Sequence, residues 1–138
     1  MISKVFIDTD VFLDTILDRK PHSVHSNRII GLAEKNKIHG FTSSLVIANL
    51  YYILKKISTH SKAVQAINKI RSIIEVLPFT NKEISESISA EFKDFEDGVQ
   101  YFIAMNNKIT HIITRNVKDF KKASASIQTP KEYLQSLK

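Results

Sequence analysis

Apolar residues recur along the chain at two spacings, and the two alternate. Val5-Phe6-Ile7 is a short β-branched and aromatic run ending in acid, the pattern of a buried strand. Val11, Leu13, Ile16 and Leu17 then come at helical intervals until Arg19-Lys20-Pro21 breaks them, and Asp10 stands where such a helix takes its cap. Ile29, Ile30, Leu32 and Ala33 mark a second helix over about 23–36. Gly40-Phe41-Thr42 reads as the next strand, and Ser43 or Ser44 caps a helix from Leu45 to about Ile57. Ala63, Ala66, Ile67 and Ile70 fall at i, i+3, i+4 and i+7, which makes 60–73 an amphipathic helix. Ile74 to Phe79 predicts a strand halted by Pro78, and Asn81 to Phe92 a helix. Asp94 opens a further helix through about Asn106, with Val99, Phe102 and Ile103 inward. His111-Ile112-Ile113-Thr114 is a strand, Ile127 belongs to a last short one, and Thr129-Pro130 starts the final helix, with Thr as cap and Pro at its first position.

Strands that alternate with helices predict a parallel sheet covered on both faces, an α/β fold built from right-handed crossovers. In such sheets ligands bind beyond the carboxyl ends of the strands. Asp8 and Asp10 stand at the end of the first strand. Arg115 and Asn116, with Asp119 behind them, come after the His111–Thr114 strand, and Asp94 and Asp97 lie in the first turn of the helix before it. Carboxylates from distant segments thus converge on one edge. Two of them about 5 Å apart repel by roughly 3 kcal/mol at an effective dielectric of 20, so the cluster calls for a cation or raised pKa values. The chain has no cysteine, and an all-oxygen donor set favours Mg²⁺ or Mn²⁺. Such ions activate water and clamp a phosphodiester during in-line displacement.

Composition narrows the partners. The chain has 138 residues, 43% hydrophobic and 25% charged, which predicts one folded domain over 1–138 and excludes disordered, collagenous and coiled-coil classes. No run approaches the roughly 18 apolar residues of a membrane span, and Asp8 and Asp10 interrupt the apolar start too early for a signal peptide, so a cytoplasmic protein is expected. Twenty Lys and Arg against 14 Asp and Glu leave a net charge of +6, suited to a polyanion such as nucleic acid.

Plainer roles compete for several of these residues. Asp10 can be a helix cap, and Asp94-x-x-Asp97 has the form of a capping box. Asp14 and Asp18, further along the first helix, are expected to face solvent. Asp8, at the end of a buried strand, has the least obvious structural role. Arg115 can hold a phosphate in its planar fork or pair with a local Asp. Lys118, Lys121 and Lys122 form either a backbone-contact patch or a solvated face. His22-x-x-His25 is a weak zinc spacing, and Tyr51-Tyr52 with Ile53 and Leu54 packs a core or a dimer face.

The run Val5-Phe6-Ile7-Asp8-Thr9-Asp10-Val11-Phe12-Leu13-Asp14 resembles the opening motif of the PIN domain family, a hydrophobic strand followed by Asp-Thr-Asn and an apolar helix. Thr42-Ser43-Ser44 with the Leu45–Leu54 helix, Asp94-Phe95-Glu96-Asp97, Ile112 to Phe120 and Thr129 to Leu134 resemble its later blocks, in order and over essentially the whole chain. The resemblance implies a three-layer α/β/α sandwich around a five-stranded parallel sheet. It implies a Mg²⁺- or Mn²⁺-dependent ribonuclease acting on single-stranded RNA, like the VapC-type toxins of bacterial toxin–antitoxin pairs, with an antitoxin partner and a homodimer. Carried over by position, Asp8 is the first acid, Asp97 the third, Asp94 an accessory acid and Asn116 a further metal ligand, with Arg115 and Lys118 near the RNA. Two positions depart from the family pattern: Asn49 stands where a Glu is usual and Asn116 where an Asp is frequent. An amide oxygen can ligate a hard cation but brings no charge, so metal affinity should fall; Asp10 or Asp119 would compensate.

The departure at Asn49 keeps a second reading open, a PIN-fold module that binds RNA or protein without cutting. Two others fit poorly. A haloacid-dehalogenase-type phosphatase has Thr or Val two residues after the second Asp, where Phe12 stands, and a receiver domain needs an acceptor Asp after the Ile74–Phe79 strand.

Overall fold

In the computed structural model, which describes residues 2–120 and 125–137, β1 (Ser3–Ile7) is the middle strand of a five-stranded sheet. The chain runs on through α1 (Thr9–Ile16), α2 (His22–Glu34), β2 (Ile38–Ser43), α3 (Ser44–Ile57), α4 (His60–Ile73) and β3 (Glu75–Leu77). It continues through α5 (Asn81–Ser89), α6 (Phe95–Asn106), β4 (His111–Ile113), a 3₁₀ turn at Val117–Phe120, β5 (Ser126–Gln128) and α7 (Pro130–Ser136). The strand order is β3-β2-β1-β4-β5, and each pairing is parallel. β1 therefore has β2 on one side, with Phe6 opposite Phe41, and β4 on the other, with Phe6 opposite Ile112.

The period-two alternation of β1 builds a core on each face. Val5 and Ile7 pack with Val11 and Phe12 of α1, Ile29 of α2, Val46 and Leu50 of α3, Ala63 and Ile70 of α4 and Tyr133 of α7. Phe6 points the other way, to Val99, Ile103 and Ala104 of α6, with Ile112 and Phe120. The result is the expected three-layer α/β/α sandwich. Gly40 makes one close approach possible: a Cβ there would stand 2.6 Å from Ile74 Cδ1 and 3.3 Å from Ala33 Cβ, so a side chain would force Ile74 to repack and crowd Ala33 of α2. Gly98 does the same for α6, since a Cβ would collide with Ser87 Oγ on α5.

Element boundaries move where local hydrogen bonding overrides the apolar pattern. Helix α1 begins two residues earlier than its apolar spacing predicts, and its cap is Asp8, not Asp10. Asp8 keeps the extended backbone of the strand (φ −81°, ψ 166°) and its carboxylate accepts from Thr9 N. Helix α5 stops at Ser89 rather than Phe92, and Ile74 caps α4 instead of opening β3. The caps Ser43, Asp94 and Thr129 stand as expected.

Candidate active site

The C-terminal ends of β1, β2 and β4 lie side by side, so the residues just past one strand meet those just past its neighbours. Asp8 N donates to Ile113 O of β4 (3.0 Å), and Thr42 Oγ1 of β2 donates to Ile7 O (2.9 Å). A buried tie brings in the fourth segment: Ser43 Oγ donates to Gln100 Oε1 on α6 at 2.6 Å and accepts from Val46 N. Gln100 is held there, and one helical turn before it stand Glu96 and Asp97. The i and i+4 spacing of Glu96 and Gln100 carries the first turn of α6 over the sheet end.

An open groove of about 390 Å³ results, lined by Asp8, Asp10, Asn49, Glu96, Asp97 and Asn116, with Tyr52 and Ile53 on its rim. Asp8 is 8% exposed. One of its oxygens accepts from Thr9 N (2.8 Å) and the other from the Thr114 hydroxyl (2.9 Å). Burial raises its pKa above the usual carboxylate value; the two hydrogen bonds oppose the rise, and the charges of Asp94 and Glu96 add to it. Asp10 accepts from Arg115 N at 3.3 and 3.2 Å and from Asn116 Nδ2 at 3.3 Å. Burial first, and then the neighbouring Asp8, push its pKa up to about 6.

Asp97 lies on the groove wall with Asp8, as the motif spacing suggests. Asp94 does not line the groove. Its Oδ1 accepts from Asp97 N at 3.0 Å, so it is the N-cap of α6, exposed to solvent, and it acts on Asp8 only through its charge. Asn116 reaches the groove, with its amide nitrogen toward Asp10. Lys118 is exposed on the 3₁₀ turn. The Asp119 side chain, Lys121 and Lys122 lie outside the described residues.

Two carboxylates differ from the sequence expectation. Asp14 does not face solvent: it is 0% exposed and accepts Arg115 Nε at 2.6 Å and Arg115 Nη2 at 3.1 Å, with Arg19 Nη1 at 3.8 Å. It lies one turn after Asp10 on the same side of α1, facing the loop after β4. Arg115 thus takes the local-Asp option along one edge of its fork. Glu96 is a groove residue that sequence reasoning misses. Asn49 Nδ2 donates to Glu96 Oε2 at 3.2 Å, so α6 brings a carboxylate to the place where α3 lacks one. The signal is present in Asp94-Phe95-Glu96-Asp97 as a third acid in a row of four residues.

Among the described residues, no three His, Cys, Asp or Glu side chains come close enough together to enclose an ion. The groove's donors are nonetheless all oxygen: four carboxylates and two amides. Such a set suits a small hard cation that keeps most of its water and takes one or two carboxylates, as Mg²⁺ does, rather than a closed cage. Burial is the main cause of the raised Asp8 and Asp10 pKa values and the neighbouring carboxylates add to it; a bound cation would lower both.

Comparison with known proteins agrees with the geometry. Residues 4–118 match the PIN domain family. The chain is 32% identical over 135 residues to ribonuclease VapC1 of Aquifex aeolicus, covering 94% of this chain and 92% of that one. Its fold is similar to those in VapBC-1 of nontypeable Haemophilus influenzae (TM-score 0.70, 17% identity, 93% of this chain and 98% of that one) and DNA-bound VapBC of Salmonella typhimurium (TM-score 0.70, 19% identity, 92% and 97%). VapBC2 of Rickettsia felis, bound to a promoter DNA fragment, is similar at a TM-score of 0.69 (19% identity, 91% and 96%). With its five parallel strands and its acids gathered at their carboxyl ends, the chain belongs to the PIN domain family.

Proposed function

We propose that this protein is a divalent-cation-dependent ribonuclease that hydrolyses single-stranded RNA, and that it is the toxin of a toxin–antitoxin pair. The observation that carries the reading is the one groove lined by Asp8 and Asp10 from the β1–α1 junction and by Glu96 and Asp97 from α6. The chain's likeness to ribonuclease VapC1, and the likeness of its fold to VapBC structures, support it. Asp8 and Asp97 would hold Mg²⁺ or Mn²⁺, with the Asn116 amide beside them. When bound, such an ion supplies Lewis acidity at the phosphoryl group and acidifies water.

The protein's own groups do the positioning. Thr9 N and the Thr114 hydroxyl fix both oxygens of Asp8, so its carboxylate enters the groove in one orientation. Asn49 holds Glu96, and the Ser43–Gln100 bond sets the height of Glu96 and Asp97 above the sheet. The groove is open, which suits an extended strand rather than an enclosed small molecule. An antitoxin segment would inhibit by covering it, and we place the chain in a homodimer, with Tyr52, 70% exposed, on the surface offered for pairing.

Cleavage of single-stranded RNA in Mn²⁺ tests the reading, with EDTA and Asp8→Asn as controls. Cleavage that both abolish is expected; cleavage indifferent to both removes the mechanism. RNA bound tightly, uncut, and with no Mn²⁺ taken up would instead support a binding module, which the uncharged Asn49 amide beside Glu96 favours.

A further inference from the structure

Arg115 and Asn116 are adjacent in the chain, yet their side chains line different hollows. Asn116 faces the carboxylate groove. Arg115 lines a second cavity of about 430 Å³ with His22 and His25 of α2 and Lys131 of α7, and none of the described lining residues carries a carboxylate. Two of the five N–H donors of Arg115 are taken by Asp14, which is buried and so holds the fork in place; the other donors can meet an anion. Arg115 is 30% exposed on its side chain, enough to be reached from solvent.

The contrast between the two hollows matters for a polyanionic substrate. Four carboxylates in the groove repel phosphates, so a strand lying there needs cationic purchase close by. The loop after β4 supplies it one residue away. We propose that the second cavity binds a backbone phosphate of the same RNA strand whose scissile bond lies in the groove, with Arg115 and Lys131 as the cationic partners and His22 and His25 as flanking donors. This inference rests on the ribonuclease reading and extends it to a defined anchor for the strand.

The test is fluorescence anisotropy with a short labelled oligouridylate in EDTA, using the full chain and its Lys131→Ala and His25→Gln variants, together with cleavage in Mn²⁺ with Asp8→Asn as the cleavage control. Both cavity variants alter partly or wholly exposed residues, and circular dichroism checks their fold. Expected is a several-fold loss of affinity in each, and for Lys131→Ala a salt-dependence slope shallower by about 0.7, the value of one phosphate contact on a single strand. Unchanged affinity and slope in Lys131→Ala, while RNA is still cut in an Asp8-dependent way, would overturn the anchor and leave the nuclease reading intact. A shallower slope with no cleavage in Mn²⁺ would uphold the anchor and overturn the nuclease. Displacement of the RNA by polyglutamate that Lys131→Ala abolishes would assign the cavity to an acidic peptide and overturn the RNA assignment.

Discussion

Replacing Arg115 by Met should unfasten the loop that organises the groove. Asp14 has no solvent exposure, and Arg115 reaches it through two N–H donors at 2.6 and 3.1 Å. Each hydrogen bond to a charged group contributes about 1.5–3 kcal/mol, and removing one partner of a buried pair costs about 3–5 kcal/mol. Two features lower the figure here. Arg115 is 30% exposed on its side chain, and Arg19 remains 3.8 Å from Asp14. A loss of about 3 kcal/mol is the reasoned value. For a 138-residue chain the entropy of unfolding is about 0.3 kcal/mol/K, so the melting temperature should fall by about 10 °C. Arg115→Lys, a point charge on a flexible stem, should recover only part of this. Differential scanning calorimetry reads the shift, and a double-mutant cycle with Asp14→Leu isolates the pair, with a coupling of about 2 kcal/mol expected. The same variant should also cut RNA more slowly, because Thr114 holds Asp8 and Arg115 N holds Asp10. A melting temperature within about 1 °C of the wild type, or a coupling near zero, would refute the assignment of Asp14–Arg115 as the clasp.

The chemistry of the groove sets the other expected outcomes. Metal-free protein should lose stability as pH rises from about 4 to about 6, because folding raises the Asp10 pKa to about 6 from 3.8 and so favours its protonated form; the ceiling is about 3 kcal/mol. Urea unfolding in EDTA should show this decline in the wild type and a smaller one in Asp10→Asn, where only Asp8 still contributes; parallel curves would count against it. Glu96→Gln should weaken Mn²⁺ binding by roughly tenfold in calorimetric titration. Asn49→Glu should restore it only on the Glu96→Gln background, since in the wild type it sets two carboxylates where a 3.2 Å hydrogen bond now stands. Gln100→Ala should cost about 1–3 kcal/mol in urea unfolding by orphaning the buried Ser43 hydroxyl, and should lower Mn²⁺ affinity by loosening α6 over the sheet end.

Much of the architecture is legible because apolar spacing and capping are local. The β1 alternation of Val5, Phe6 and Ile7 and the caps Ser43, Asp94 and Thr129 need no tertiary information. What misleads is local in the same way. Asp10 looks like a cap because an apolar helix comes after it, whereas Asp8 is the residue that combines extended backbone with the first free helical N–H. Asp14 looks solvated because its partner lies 101 residues away; no spacing within α1 could disclose Arg115. Glu96 is easily overlooked because its importance comes from Asn49 on another helix, which the chain order separates by 47 residues. Helical spacing from Asp94 correctly puts Asp97 near the sheet end. That Asp94 itself stays outside the groove is decided by its capping bond.

Anomalous diffraction from a Mn²⁺-soaked crystal tests the account at its centre, the capture of a hard dication by carboxylates from separate elements. A peak within coordination distance of Asp8 and Asp97 oxygens, lost in Asp8→Asn, is the predicted result. A fully occupied peak away from the groove, at His22 and His25 for instance, or none at saturating Mn²⁺, would contradict it.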